Sequence, residues 1–199
     1  MAKPLLEALQ RRFPTEVLQC HDFRGDETAI IRRDRIVEIF TWLRDCPDTD
    51  LNLLVDVTAV DYLAEGLSGS PSSVESESRR TSPNQHQPGK PWYQPPAPEP
   101  GATARFEVVY HLLSLARGWR LRVKVPLTEQ DPLVDSLVPV YQSADWFERE
   151  AWDLYGIRFE GHPDLKRILL YEEFIGHPLR KDYPINRRQP LVPMKDPTA

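Results

Sequence analysis

The amino-acid sequence predicts an α+β fold of two layers, with helices packed on one face of a mainly antiparallel sheet and an extended C-terminal segment. Three observations carry the prediction. Apolar residues recur at helical spacing in three stretches. In three others they alternate with polar residues, the period of a half-buried strand. Where the alternation is cleanest, in Arg120–Val125, it leaves one face of the strand polar, which fits an antiparallel sheet open on one side better than a parallel sheet covered on both.

Leu5, Leu6, Leu9 and Phe13 share a stripe behind Pro4, so the chain opens with a short amphipathic helix whose proline sits in the first turn. Short strands are expected over Glu16–His21 and Glu27–Ile31. Asp34 is placed to cap a second helix, in which Ile36, Ile39, Phe40 and Leu43 form the apolar stripe and which Pro47 stops. From Leu51 the period becomes two: Leu53, Val55, Val57 and Ala59 are expected on one strand face, opposite Asn52, Asp56 and Thr58. Phe106, Val108, Tyr110 and Leu112 do the same within Arg105–Leu113, and Leu121, Val123 and Val125 alternate with Arg120, Arg122 and Lys124. Ser143 is placed to cap a last helix of about three turns, closed by Gly156.

Between the strands, 64–104 is rich in Ser, Pro and Gln and nearly without aliphatic residues, so it is expected to be a disordered insertion unable to offset its ordering entropy. A second reading is a docking motif around the Pro-Trp-Tyr-Gln-Pro-Pro run, 91–96. The expected organisation is one α+β domain from 1–63 and 105–160, the insertion 64–104, and an extended partner-binding segment 161–199.

Composition narrows the function. With 199 residues, a formal net charge of -5 and a pI near 5.6, the chain lacks the basic excess of a nucleic-acid binder. No apolar run reaches the roughly 20 residues that span a bilayer, and the N-terminal stretch lacks the apolar core of a secretory signal, so a cytoplasmic location is expected. Cys20 and Cys46 supply too few ligands for an iron–sulfur cluster or a four-cysteine zinc site.

The C-terminal third is the densest in candidate chemistry. On the last helix Phe147, Ala151 and Leu154 share one stripe and Glu148, Trp152 and Tyr155 another, while Arg149 lies one turn from both Asp145 and Asp153. Two readings stand: a core-facing stripe with exposed ion pairs, or a partner-facing surface. Glu148 and Glu150 point to different faces, which speaks against an acid–base pair. Beyond the helix come two echoes, Gly161-His162-Pro163 and Gly176-His177-Pro178, each followed by a basic pair, Lys166-Arg167 and Arg180-Lys181. A metal site from His162, His177 and Asp164 or Asp182 is disfavoured, because neither histidine has a helical partner and both sit on proline-stiffened loops. The tail, 182–199, keeps apolar Ile185, Leu191, Val192 and Met194 among its prolines, and two readings stand: an arm lying on another protein, or a floppy end.

Glu148-Arg149-Glu150, Asp153-Leu154-Tyr155-Gly156, the run from Gly161-His162-Pro163-Asp164 through Arg167 to Leu169, and Gly176-His177-Pro178-Leu179-Arg180-Lys181-Asp182-Tyr183-Pro184 resemble the signature of the 30 kDa subunit family of respiratory complex I, the C subunit of bacterial NADH-quinone oxidoreductase. Val60-Asp61-Tyr62 and Arg105–Leu113 are similar to that family too, and the insertion is the main departure. The resemblance implies a structural subunit of the hydrophilic arm with no cofactor in this chain. FMN and iron–sulfur clusters would reside in partner subunits that carry electrons from NADH to quinone with proton translocation. It implies docking on the large 49 kDa-type D subunit, near the B and I subunits, peripherally on the cytoplasmic side of the cell membrane. Trp152, Tyr155, Arg167, Arg180 and Tyr183 are the expected interface hot spots. Two rivals remain: the equivalent subunit of a hydrogenase-type or ferredoxin-plastoquinone membrane complex, and a stand-alone metal-dependent hydrolase.

Overall fold

A computed structural model describes residues 5–63, 104–184, 186 and 189. Its elements in chain order are α1 (Leu5–Arg12), β1 (Val17–Phe23), β2 (Asp26–Ile31), α2 (Ile36–Asp45), β3 (Leu53–Asp61), β4 (Phe106–Leu113), β5 (Arg120–Leu127), β6 (Leu133–Asp135), α3 (Ala144–Tyr155) and β7 (Arg158–Glu160). The fold is α+β, as the periodicities require. Five strands form one sheet in the order β1-β2-β5-β4-β3, antiparallel except where β2 runs parallel to β5. The short strands β6 and β7 pair in parallel as a separate ribbon, an element with no signature in the sequence. The expected insertion, 64–104, lies outside the described residues except for Ala104, as does most of the tail beyond Pro184.

One hydrophobic core joins the helical stripes to a single sheet face. Leu5, Leu9 and Phe13 from the first helical stretch, Ile36, Ile39, Phe40 and Leu43 from α2, and Ala144 and Ala151 from α3 all lie in a cluster with Val57, Val108, Tyr110, Val123 and Val125. The Phe40 ring meets Tyr110 edge-on at 4.9 Å, and Tyr141 lies 6.5 Å from Phe40 on another side. Tyr141 donates its hydroxyl proton to the Leu51 carbonyl at 2.7 Å, so the ring is both packed and satisfied.

The helix starts differ from the expected caps. Arg35, not Asp34, is the residue before α2, and no side chain caps the helix. Arg35 instead spans Glu38 and Glu16 with its guanidinium, and the Ile36 amide bonds the Arg33 carbonyl. Ser143 does precede α3, but it already has helical angles, so its hydroxyl cannot turn back to the first-turn amides. It donates to the Leu54 carbonyl at 3.1 Å and ties the helix to β3.

Two strand expectations also change. A register shift between Leu54 and Asp56 interrupts the period of β3, leaving Leu53 and Val55 largely outside while Leu54, Val57 and Ala59 face the core. On β5, Lys124 was expected on a wet face but is buried, its ammonium 2.8 Å from the equally buried Glu107 carboxylate. Tyr62 donates its hydroxyl proton to the same carboxylate at 2.8 Å. One of the three cations of that stripe is therefore neutralised internally rather than by water.

Tyr110 is fully buried and its hydroxyl has no hydrogen-bond partner among the described residues. An unpaired hydroxyl in a dry interior is a cost without a return. Tyr110→Phe is expected to raise stability by about 1 kcal/mol in urea denaturation, and a loss of stability would show that the hydroxyl is satisfied in solution.

Candidate partner-docking surface

The geometry grows from α3. Gly156 ends the helix in the left-handed region, at φ 73°, and its amide closes the last turn on the Trp152 carbonyl. The chain then runs through β7, turns at Gly161, and comes back along α3 as a succession of turns from residue 161 to 184. This described part is not the straight extended segment that its prolines imply.

Asp153 fastens it. The carboxylate is wholly buried and accepts the amides of Ile168, Leu169 and Leu170 at 3.2, 3.0 and 2.9 Å, while Arg167 Nη1 approaches its other oxygen at 2.6 Å. Burial works against the charge, but the Leu170 and Leu169 amides, the Arg167 guanidinium and the Ile168 amide outweigh it and hold the carboxyl below the usual aspartate range. Arg167 also donates to the carbonyls of Phe174 and Gly176, and its guanidinium lies over the Trp152 and Phe174 rings. One aspartate thus gathers residues 167–176 around itself.

The two Gly-His-Pro echoes clasp the two ends of α3. At the first, the Asp164 amide donates to His162 Nδ1, so Nε2 carries the proton it places 3.1 Å from the Asp145 carbonyl. At the second, His177 Nδ1 donates to the Asp153 carbonyl at 2.9 Å, and burial holds this ring's pKa below its ordinary value, so it is neutral. The Leu179 amide bonds the Leu154 carbonyl, and Arg180 Nε donates to the Tyr155 carbonyl at 2.5 Å. Both histidines point at backbone carbonyls, and no group of three or more His, Cys, Asp or Glu among the described residues is arranged to hold a metal.

Glu148 and Glu150 part as expected, the first fully buried and the second exposed. Glu148 accepts the Ser136 hydroxyl at 2.6 Å and the Leu137 amide at 2.7 Å, fixing the loop after β6 to the helix. Burial nevertheless pushes its pKa up to about 7, with Asp145 adding to the rise against those two bonds. The exposed ion pairs expected of Arg149 do not form. It is buried, bonds the Lys166 carbonyl at 3.2 Å, and lies over Trp146.

Among the charged signature residues, Glu148, Arg149, Asp153, Arg167 and Arg180 are thus used inside the chain, while Glu150, Asp164, Lys166, Lys181 and Asp182 are exposed. Arg167 and Arg180, expected as partner contacts, are internal ties. Tyr183 stacks on Phe174 at 6.0 Å and accepts a hydrogen bond from Gln189, while Trp152 and Tyr155 are half-buried against the core. Large apolar residues face out among exposed charges. Leu169 is 60% exposed, Ile175 62%, Leu179 46%, Tyr171 36% and Trp146 63%. The sequence reading missed these residues because they follow no period; the available signal was apolar residues scattered through a stretch crowded with Gly, Pro and charge.

The family model described as respiratory-chain NADH dehydrogenase, 30 Kd subunit, matches residues 29–189. The NADH-quinone oxidoreductase C subunit of Citrifermentans bemidjiense is 40% identical over 177 residues, covering 89% of this chain and 86% of that protein. The same subunit of Coxiella burnetii is 40% identical over 186 residues, covering 91% and 77%. Among solved structures, a trypsin-resistant fragment of Nqo5 superposes with a TM-score of 0.56 at 28% identity, covering 81% of this chain and 96% of the fragment. A chain of the membrane-bound sulfane sulfur reductase, an archaeal respiratory membrane complex, reaches 0.61 at 17% identity, covering 92% and 85%, a likeness of fold. The chain belongs to the 30 kDa subunit family of respiratory-chain NADH dehydrogenase.

Glu148 titrates near 7 in the folded chain against an ordinary 4.5, so its share of stability is complete below about 4.5 and is lost as pH rises toward 7. Glu148→Gln stays neutral throughout. Its stability relative to the unaltered chain is expected to climb by on the order of 2 kcal/mol between pH 5 and 8; a gap that stays flat in denaturation at several pH values would contradict the raised pKa. At Gly156 a Cβ would lie 2.6 Å from the His177 ring and 2.7 Å from Arg180 Nη2, in a backbone region that side chains avoid. Gly156→Ala should cost about 1–3 kcal/mol and loosen 177–180, read as faster amide exchange at Leu179.

Proposed function

We propose that the chain is a non-catalytic scaffold subunit in the hydrophilic arm of an NADH-quinone oxidoreductase. The observation that carries this reading is the division of labour along 146–183. Glu148, Arg149, Asp153, Arg167 and Arg180 are spent on internal bonds, and the loop they order leaves Leu169, Tyr171, Ile175 and Leu179 exposed, as Trp146 is on α3. Ordered, exposed apolar groups on a proline-stiffened loop are what a docking surface needs, since their rigidity lowers the entropy lost on binding.

In this role the chain holds no cofactor of its own. Electrons pass from NADH through FMN and iron–sulfur clusters in partner subunits to quinone, coupled to proton translocation. The partner at the loop is the large 49 kDa-type D subunit, with the B and I subunits nearby. The assembly places the chain peripherally on the cytoplasmic side of the cell membrane. Family membership supports this, as does the absence, among the described residues, of any helix long and apolar enough to cross a membrane.

The test is Leu169→Asp with Ile175→Asp in the tagged chain, followed by recovery from gently solubilised membranes. Both side chains are mostly in water, so the fold should survive. Recovery of partner subunits and NADH-driven quinone reduction are expected to fall about a hundredfold or more, as two hot-spot losses imply. Normal assembly by the double variant would overturn the reading. An NADH-binding flavoprotein among the recovered partners identifies the electron donor, and its absence points to a hydrogenase-type or ferredoxin-linked relative.

A further inference from the structure

We infer that Arg105 is the positioning residue for the C-terminal segment, holding Asp61 of the sheet and Asp182 of the segment in one guanidinium so that the docking loop is ordered before a partner arrives. The inference rests on the docking role proposed above and assigns the device that prepares it.

Four stretches of chain meet at this residue. Arg105 stands at the entrance to β4, its amide bonded to the Leu127 carbonyl and its own carbonyl accepting the Tyr62 amide at 2.7 Å. Its side chain is nearly sealed from water, 6% exposed beside a wholly buried Asp61. Nε and Nη2 take the two Asp61 oxygens at 3.2 and 3.0 Å, Nη2 also reaches Asp182 at 2.8 Å, and Nη1 pairs with Glu129. Asp61 in turn accepts the amides of Leu63 and Lys181, each at 2.9 Å. The end of β3, the start of β4, the loop after β5 and the Arg180–Asp182 stretch are thus fixed by one cation and one buried anion.

The charge balance makes the arrangement depend on Arg105. Arg180, carried in by the C-terminal segment, places its guanidinium over the same Phe106 ring that Arg105 covers, at 5.1 Å against 4.8 Å. Two cations share one aromatic ring, and three carboxylates, Asp61, Glu129 and Asp182, offset them. Of these only Asp182 belongs to the C-terminal segment. Glu129 is its natural control, exposed to a similar degree and paired with the same guanidinium, and linked to that segment only by its charge acting on Arg180.

Amide exchange in the full-length chain separates the alternatives. Asp182→Asn is expected to speed exchange at Lys181 and Leu179 about tenfold, the effect of one partly exposed charge-assisted bond on a local opening, while Glu129→Gln leaves those amides as they were. Equal effects of the two substitutions, or none from Asp182→Asn, would overturn the inference. The paired variant Asp61→Asn with Arg105→Gln removes the buried ions together, so neither is left alone in the interior. It should keep its sheet amides protected, expose those of 179–183, and lower recovery with the partner subunits about tenfold or more. Full recovery with an unprotected segment would refute positioning. Failure of the unaltered chain to recover partners would instead refute the docking role while leaving the exchange contrast intact.

Discussion

A carboxylate taken out of water has to be given donors, and the way the chain supplies them to Asp153 shapes everything C-terminal to α3. An isolated ionised group in a dry interior costs far more than any single contact returns. Three consecutive amides and a guanidinium meet that cost only if residues 167–170 curl around the helix, so the path of the loop follows from the burial of one side chain. The clasps by His162 and His177 and the Arg180 tie then have fixed targets, the carbonyls of Asp145, Asp153 and Tyr155. Removing the charge at 153 would leave these bonds with nothing to register against.

The arrangement reverses the usual intuition about which residues meet a partner. Asp153, Glu148 and Arg149 are inside, and Leu169, Ile175 and Trp146 are outside. Both placements cost free energy in the isolated chain, the first through desolvation and the second through exposed apolar area. The first is offset internally by hydrogen bonds; the second would be recovered on association in the docking role proposed above. In the proposed docking role, charge buried at Asp153 and Arg167 shapes the loop, and the exposed apolar residues would meet the partner.

Much of the fold was legible in the sequence because burial imposes a period. The stripes of Leu5, Leu9 and Phe13 and of Ile36, Ile39, Phe40 and Leu43, and the alternation in β4 and β5, all correspond to core positions. Illegible were features decided by a single distant bond. Ser143 looks like a cap, but its hydroxyl goes to Leu54; Lys124 looks wet, but Glu107 waits on the neighbouring strand. The bulge in β3 shifts Leu53 and Val55 outward, and nothing in their spacing announces it. At the candidate surface the charged signature residues were recognisable as a set, yet the inward direction of Asp153, Arg167 and Arg180 depends on loop closure, which has no period to read.

The parallel pairing of β2 with β5 bears on how the chain is made. Thr28 and Arg122 stand opposite each other although 94 positions separate them. At roughly 5–20 residues per second of synthesis, the hairpin of β1 and β2 waits about 5–20 s for its second neighbour. Throughout that interval Ala29, Ile30 and Ile31 present an apolar strand whose far edge has unspent amides and carbonyls, the template on which strands of other chains add. A nascent chain that carries β1 and β2 but not yet β5 is therefore expected to be open to strand addition, a hazard the finished sheet no longer has at that edge.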